Sequence, residues 1–315
     1  MTTLTELGEL ATLARFLPHL SQPSGVLVGP GDDAAVLAAG GDVVITVDTM
    51  FEGTDFRLDW SSFHDLGVKA VTTNLTDVAA MGAAPTGLVI ALGVAGDTDV
   101  ADLEAFAKAA DATLREYAPD AGVVGGDLSV ARQAVISVTA FGDMQGRKPV
   151  LRSGARAGDL IVVAGELGLA GTALTLLAAG ERSVDDLWRE HPRPMQAHLA
   201  PTAPVHLGPA LADAGATSML DVSDGLALDT GRVARASGVV MRFDRQALMR
   251  FDAELEYVLH GGEDHALLAT LPEAALTDDL LAAGVRVIGR VAAGDAAVLL
   301  DDELVSERGW DPFRR

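Results

Sequence analysis

The chain has 315 residues, a formal net charge of −22, 49% hydrophobic residues, 4% aromatics and no cysteine. That length implies two domains or one large one, and the lack of cysteine excludes disulfides, thiolate metal sites and a cysteine nucleophile. Acidity is spread along the whole chain, only Lys69, Lys108 and Lys148 supply ammonium groups, and no basic run occurs, so nucleic acid is not an expected partner.

In chain order, Thr5 to Leu17 reads as an amphipathic helix, with Leu7, Leu10, Ala14 and Leu17 on one stripe and Pro18 ending it. Val26 to Val28 is a short strand before Gly29-Pro-Gly-Asp-Asp33, and Val43 to Val47 is a strand running into Asp48. Ser61 or Ser62 can cap a long helix to about Met81, which Gly82-Ala-Ala-Pro85 terminates. Leu88 to Val94 is an apolar run of strand length, Thr98 to Tyr117 is helical, and Val123-Val124 and Val135 to Phe141 are strands. The pattern resets near Gly142-Asp-Met-Gln-Gly146, which places a domain boundary at about 145–155 and gives domains 1–150 and 151–315. Beyond it, Leu160 to Ala164 begins a fresh strand. Helices are expected at 168–180, 205–214, 225–237 and 273–283, and strands at Val239 to Phe243, His265 to Leu271 and near 286–299. The proline-rich stretch 183–204 reads as the loosest part of the chain. No apolar run reaches the roughly 20 residues that span a bilayer. Met1-Thr-Thr-Leu-Thr-Glu6 lacks the basic start and apolar core of a secretory signal, so a soluble cytoplasmic protein without a membrane partner is expected.

Against this background, five acidic segments stand out: Gly29-Pro-Gly-Asp-Asp33, Thr46-Val-Asp-Thr49, Asn74-Leu-Thr-Asp77, Gly125-Gly-Asp127 and Asp221-Val-Ser-Asp-Gly225. Most sit where an apolar run stops. One such Asp is a helix cap or a turn; five suggest a fold that gathers carboxylates. Carboxylates held close repel by several kcal/mol, on the order given by an intermediate effective dielectric. Divalent cations are the usual reason to collect them, and hard oxygen donors favour magnesium or calcium. Asp77 is the most telling, because it lies inside a helical stretch with Asn74 three residues and Thr73 four residues before it. Asp and Asn are poor helix-interior residues, and this spacing puts them on one face. Paired glycines beside Asp127 suit close approach to a phosphate. Ser223 and the amides that open the next helix form a potential phosphate site, although Ser223 or Asp224 could equally act as a helix cap. Gly261-Gly-Glu-Asp264 is a sixth candidate, in which Glu263 could accept hydrogen bonds from a cationic or hydroxylated substrate. A triphosphate can enter such a site only with metal ions that bind carboxylate and phosphate oxygens together. No Gly-Lys pair exists, so the P-loop is absent, as is the protein-kinase signature. Arg152 is the best-placed cation to reach a phosphate directly.

These segments, in this order, resemble the thiamine-monophosphate kinase family, part of an ATP-binding superfamily that includes aminoimidazole-ribotide synthetase. The likeness rests on Gly-Asp-Asp-Ala from Gly31, Asn-Leu-Thr-Asp-Val-Ala-Ala-Met-Gly-Ala from Asn74, Arg-Ser-Gly-Ala from Arg152, Asp-Val-Ser-Asp-Gly-Leu from Asp221 and Gly-Gly-Glu-Asp from Gly261, and it extends to Gly309-Trp-Asp-Pro-Phe313. The resemblance implies an α/β, or α+β, fold of two domains. In it the N-terminal sheet pairs across a homodimer, a C-terminal α/β domain completes the ATP and substrate cleft, and that cleft lies between the domains. It implies ATP-dependent phosphorylation of thiamine monophosphate, with magnesium-assisted in-line transfer.

By position, the resemblance gives Asp32, Thr46, Val47, Asp48, Asp77, Asp127, Asp221 and Asp224 as magnesium ligands, Val47 through its backbone alone. Asp48, Asp77 and Asp127 are central to catalysis. Tyr117, Gly126, Asp127, Arg152 and Ser223 are expected to meet ATP; Asp55, Glu263 and Trp310 are expected to meet the thiamine substrate, a carboxylate and a π-face both suiting a cationic thiazolium. Asp55 stands where the family usually has His, Ala200 where Arg is common, and His265 in place of a usual Tyr. The competing expectations are a sister ATP-dependent synthetase and a nucleotide-binding paralogue without catalysis.

Overall fold

The structure is a computed structural model that describes residues 2–21, 23, 25–28 and 36–310. The Gly29–Asp33 turn, with Asp32, and Asp311 to Phe313 lie outside the described residues. The chain divides into two compact units, one of residues 1–78 and 83–146 and the other of 79–82 and 147–315.

The first unit contains α1 (Leu4–Leu7), α2 (Glu9–Phe16), β1 (Val26–Val28), β2 (Val36–Leu37), β3 (Val43–Phe51), α3 (Phe63–Ala80, whose last two residues belong to the second unit), β4 (Ala84–Val94), α4 (Val100–Tyr117), β5 (Gly122–Val130) and β6 (Val135–Asp143). The expected single N-terminal helix is two, because Gly8 breaks it with a positive φ of 79° and an extended ψ, a combination open to glycine. Ser62 and Asp65 form the reciprocal cap of α3: the Asp65 amide donates to Ser62 Oγ (3.2 Å) and the Ser62 amide to Asp65 Oδ2 (2.9 Å). Asp99 caps α4 through the Ala101 amide.

The main sheet has the order β3-β6-β4-β5, antiparallel except for β4 and β5, which are parallel and joined through α4. β3 and β5 are therefore its two edges. Alternate residues face opposite sides. Ile136, Val138 and Ala140 of β6 and Leu88, Ile90 and Leu92 of β4 are buried, on the side where Thr46 of β3 bonds Asp77 of α3. The other side presents Val43, Ile45, Val47 and Phe51 of β3, all exposed, beside Phe141, Thr139, Ser137 and Val135 of β6.

The second unit contains β7 (Leu160–Ala164), α5 (Leu169–Ala179), α6 (Val184–Glu190), α7 (Pro192–Leu199), α8 (Leu207–Ala214), β8 (Ser218–Val222), α9 (Leu226–Ser237), β9 (Val240–Phe243), α10 (Arg245–Leu248), α11 (Leu255–His260), β10 (Ala266–Leu271), α12 (Asp278–Ala282), β11 (Val285–Ala292), β12 (Ala297–Leu300) and β13 (Glu303–Leu304). Its sheet has the order β13-β12-β9-β11-β7-β10-β8, antiparallel except for β12 with β9. Strands β7, β8 and β10 are buried at every residue. Ile161, Val163, Leu220, Val222, Met241 and Phe243 pack with Leu226 and Val233 of α9 and Val258 of α11 in one core. The stretch 183–204, expected to be loose, is largely helical: Ser183 caps α6 and Pro192 occupies the first position of α7, where its missing N–H is harmless. The helix expected over 273–283 shrinks to a single 3₁₀ turn at Glu273–Ala275 and the short α12. Among the described residues, no helix is long and apolar enough to cross a membrane.

Candidate active site

In the first unit the donors are set by β3, α3 and β5. Strand β3 continues four residues past the expected end, so Asp48 lies within it, as Thr46 does, rather than after it. They share a face with Met50, which is buried. Thr46 Oγ1 donates to Asp77 Oδ2 at 2.9 Å, which joins two of the expected magnesium ligands across 31 residues of sequence. The side chain of Val47 points to the opposite, open face, leaving only its backbone for any ligation, and Asp48 Oδ1 accepts from the Thr49 amide (2.8 Å).

The polar face of α3 is as the sequence spacing suggests. Asn74 is 1% exposed, and its Nδ2 donates to the Ala70 carbonyl (2.9 Å) and toward Thr73 Oγ1 (3.3 Å). Its Oδ1 is buried with no hydrogen-bond partner. A buried acceptor without a donor is costly, and this one belongs to a residue one helical turn before Asp77. Hard oxygens with an orphaned acceptor among them fit magnesium, although among the described residues no three acidic or histidine side chains converge on one metal-sized space.

Gly125, Gly126 and Asp127 lie inside β5 rather than after it. A Cβ on Gly126 would stand 2.0 Å from the Ile90 carbonyl oxygen, so that glycine is required by close pairing with β4, where the register shifts. Asp127 is exposed and accepts from Ser129 Oγ at 2.7 Å. Since β3 and β5 are opposite edges, three strand spacings, about 14 Å, separate the lines of Asp48 and Asp127. Tyr117 is the half-buried last residue of α4. Asp55 follows β3. Its Oδ2 accepts from the Phe51 amide (2.7 Å), and its carbonyl accepts from Lys69 Nζ (3.5 Å), a lysine that is itself buried.

In the second unit the loop between β8 and α9 is the centre. Asp221 is a buried residue of β8, level with Leu267 of β10. The amides expected to await a phosphate at the start of α9 are occupied from within: those of Asp224 (3.0 Å) and Gly225 (3.2 Å) both donate to Asp229 Oδ2. Arg232, three residues further along α9, donates to Asp229 Oδ1 and, at 2.6 Å, to Asp224 Oδ2. Burial pushes the Asp229 carboxyl up to about 6, against the pull of Arg232. Burial also opposes the charge on Arg232, but Asp224 and Asp229 outweigh it and raise its pKa. Asp229 and Arg232 were not singled out in the sequence. The i, i+3 spacing of the pair on a helix was the available signal.

Three further expected contacts gather on this loop. The Glu263 amide donates to the Ser223 carbonyl at 2.7 Å, and the Trp310 amide to the Asp224 carbonyl at 2.9 Å. Glu263 has φ +63°, a left-handed conformation uncommon outside glycine. Its neighbour Asp264 points inward and accepts from the amides of Gly168 (2.6 Å) and Ala170 (3.2 Å), capping α5; burial pushes its carboxyl up to about 7. Arg152 is exposed and stands apart. Its carbonyl accepts from Ser237 Oγ at the far end of α9, a helix whose twelve residues rise about 18 Å.

Comparison with known proteins extends these local observations to the chain as a whole. Residues 31–144 match the family model for the N-terminal domain of AIR synthase related proteins, and residues 156–302 the model for the C-terminal domain. The chain is 42% identical to a thiamine-monophosphate kinase of Mycobacterium tuberculosis, covering 99% of this chain and 93% of that relative. Among solved structures it is similar to a thiamine-monophosphate kinase of Stenotrophomonas maltophilia K279a, with 31% identity, TM-score 0.79 and coverage of 93% and 95%. It is also similar to "AaThiL complexed with AMPPCP and TMP", with 30% identity, TM-score 0.76 and coverage of 98% of each chain.

Proposed function

The chain belongs to the AIR synthase related family and, within it, to the thiamine-monophosphate kinases, and we propose that it catalyses the reaction for which they are named. ATP and thiamine monophosphate give ADP and thiamine diphosphate. The new bond joins a phosphate oxygen of thiamine monophosphate to the γ-phosphorus, and the bond from that phosphorus to the β,γ-bridging oxygen breaks. The chain is thus a phosphotransferase with ATP as co-substrate. The observation that carries this reading is end-to-end likeness: the relatives cover nearly all of both units, including one solved with an ATP analogue and TMP.

The acceptor oxygen is anionic at neutral pH, so no strong general base is required, and catalysis rests on positioning and charge neutralisation. When bound, magnesium would neutralise the phosphate charge and align the reacting oxygens. Thr46, Asp48, Asp77 and Asp127 of the first unit, Asp221 and Asp224 of the second, and Asp32 are the residues proposed to hold it. Thr46 fixes the Asp77 carboxylate from the side. Asp229 and Arg232 fix the Ser223-Asp224 turn, to which the Glu263 and Trp310 amides are bonded, and Ser223, Glu263 and Trp310 are proposed to meet the ligands from there. Tyr117, Gly126 and Arg152 are proposed ATP contacts. Asp55 is a proposed substrate contact that also holds its own turn.

A homodimer is part of this proposal. The open face of the first unit's sheet carries Ile45 and Val47, each 64% exposed, in line with Val43 and Phe51. So apolar a stripe on an edge strand requires cover. A second copy of the same sheet would supply it. It would also bring the Asp127 edge of one chain toward the Asp48 edge of the other, which a single chain keeps about 14 Å apart by strand spacing.

The test of the function is a product assay: the protein with ATP, magnesium and thiamine monophosphate is expected to form ADP and thiamine diphosphate in equal amounts. ADP formation independent of thiamine monophosphate, or none at all, would overturn the reading. The Asp77→Asn variant is expected to fold and to lose nearly all turnover.

A further inference from the structure

His198 is a buried imidazole that the proposed reaction leaves unused. It lies in the last turn of α7, 4% exposed, with Leu199 and Ala200 buried beside it. A buried imidazole needs a polar partner. Its Nδ1 lies 2.9 Å from Glu263 Oε2, at ion-pair distance, although the ring is not turned into an aligned hydrogen bond.

The main chain around Glu263 is fixed on both sides. Its amide is bonded to the Ser223 carbonyl, and the His265 amide is bonded to the Val222 carbonyl at 2.9 Å. Both residues have positive φ, and between them the Asp264 carboxylate is turned inward to cap α5. A non-glycine residue held in a left-handed conformation by such a frame marks a site where direction matters. The frame determines where the Glu263 side chain leaves the backbone. It does not determine where the carboxylate ends, because three side-chain torsions intervene. That carboxylate is 30% exposed, so it is neither buried with His198 nor free in solvent. A ring at one of its oxygens restricts those torsions and leaves the accessible side of the group to a ligand.

We propose that His198 is a positioning residue: its imidazole holds the Glu263 carboxylate in the orientation that meets the cationic end of the thiamine substrate. The inference rests on the reading of Glu263 as a substrate contact. The alternative is a buried histidine that merely finds a nearby acid and serves packing.

A double-mutant cycle separates them, using the full chain with thiamine monophosphate and an ATP analogue as calorimetric ligands and steady-state kinetics alongside. His198→Ala is expected to raise KM and Kd for thiamine monophosphate about tenfold, in the range of coupling between contacting residues. KM for ATP should stay near wild type, while the thermal midpoint falls because the buried ring leaves a cavity. His198→Asn, whose amide nitrogen can stand where Nδ1 does, is expected to recover most of the loss, and His198→Gln little of it. In a Glu263→Gln background, His198→Ala should add nothing further. Additive losses would overturn the proposal, and so would equal changes in both KM values with no rescue by Asn. If Glu263→Gln alone leaves thiamine-monophosphate binding intact, the reading of Glu263 falls and His198 falls with it. In the additive case only the role of His198 is lost.

Discussion

The carboxylate of Asp264 shows how a single residue in a recognisable motif can have a task the motif does not announce. Gly261-Gly-Glu-Asp264 draws attention to two acids, yet the structure turns one outward and one inward. Asp264 accepts from the amides of Gly168 and Ala170, two of the donors that the start of α5 leaves open. Burial raises its carboxyl to about 7, so the folded state binds a proton there more tightly than the unfolded chain, whose Asp titrates near its ordinary value of about 3.9. Stability from this group is therefore fully present below about pH 4 and is lost as pH rises through about 7. Asp264→Asn removes that dependence. We expect the stability of wild type relative to Asp264→Asn, read by urea unfolding, to fall between pH 5 and pH 8 and to change little above that. A wild-type advantage that grows over the interval would show the opposite sign and contradict the assignment. The same division between exposed and structural acids limits what residue types alone reveal. Asp77 stood out because it is a poor helix former inside a helix. Asp229 did not, because its role depends on the Asp224 and Gly225 amides coming back to meet it.

The elements most legible in the sequence carry their own end signals. The Ser62–Asp65 cap and Gly82 bracket α3, and Asp99 opens α4. Strand β4 begins before, and β5 runs beyond, the apolar runs that mark them, because Pro85, Gly87, Gly125 and Gly126 have little strand propensity of their own. In the sheet each is paired, and pairing across strands outweighs local propensity. For the same reason Asp48 and Asp127 seemed to follow strands that in fact continue past them. Prolines misled in the opposite direction at α7, where one of them starts the helix. Glycine in α3 has a meaning that periodicity cannot supply: a Cβ on Gly67 would lie 2.5 Å from the Phe106 carbonyl oxygen and 3.0 Å from Ala109 Cβ, so α3 and α4 approach through the missing side chain. Gly67→Ala gains up to about 1 kcal/mol of helix propensity. Against this, overpacking a close contact costs roughly 1–3 kcal/mol. We expect net destabilisation, seen as a lower urea midpoint with unchanged slope. An unchanged or higher midpoint would mean that the two helices can separate without loss.

At the scale of the whole molecule, the sequence suggests aspartates gathered at one place around several magnesium ions, while the sheet sets two of them on opposite edges. Periodicity cannot show this, because strand order is not written in strand patterns: β5 follows β4 in the chain and becomes an edge only because β6 returns between β3 and β4. If Asp48 and Asp127 act on the same nucleotide from different chains of the proposed dimer, each site draws one from each chain, and the apolar face of β3 supplies a reason for those chains to associate. Subunit mixing then has a definite outcome. Asp48→Asn and Asp127→Asn homodimers should each be nearly inactive. A hybrid of the two has one site with both substitutions and one with neither, so each hybrid regains one of its two sites. Random exchange places half of the dimers in that form, and we expect mixing to restore about a quarter of wild-type turnover. Ile45→Asp, which sets a charge in the apolar stripe, should suppress that recovery by preventing exchange into stable dimers, with association followed by sedimentation. Mixtures that remain inactive although hybrids form would place each complete site within one chain, and would require Asp48 and Asp127 to serve different ions.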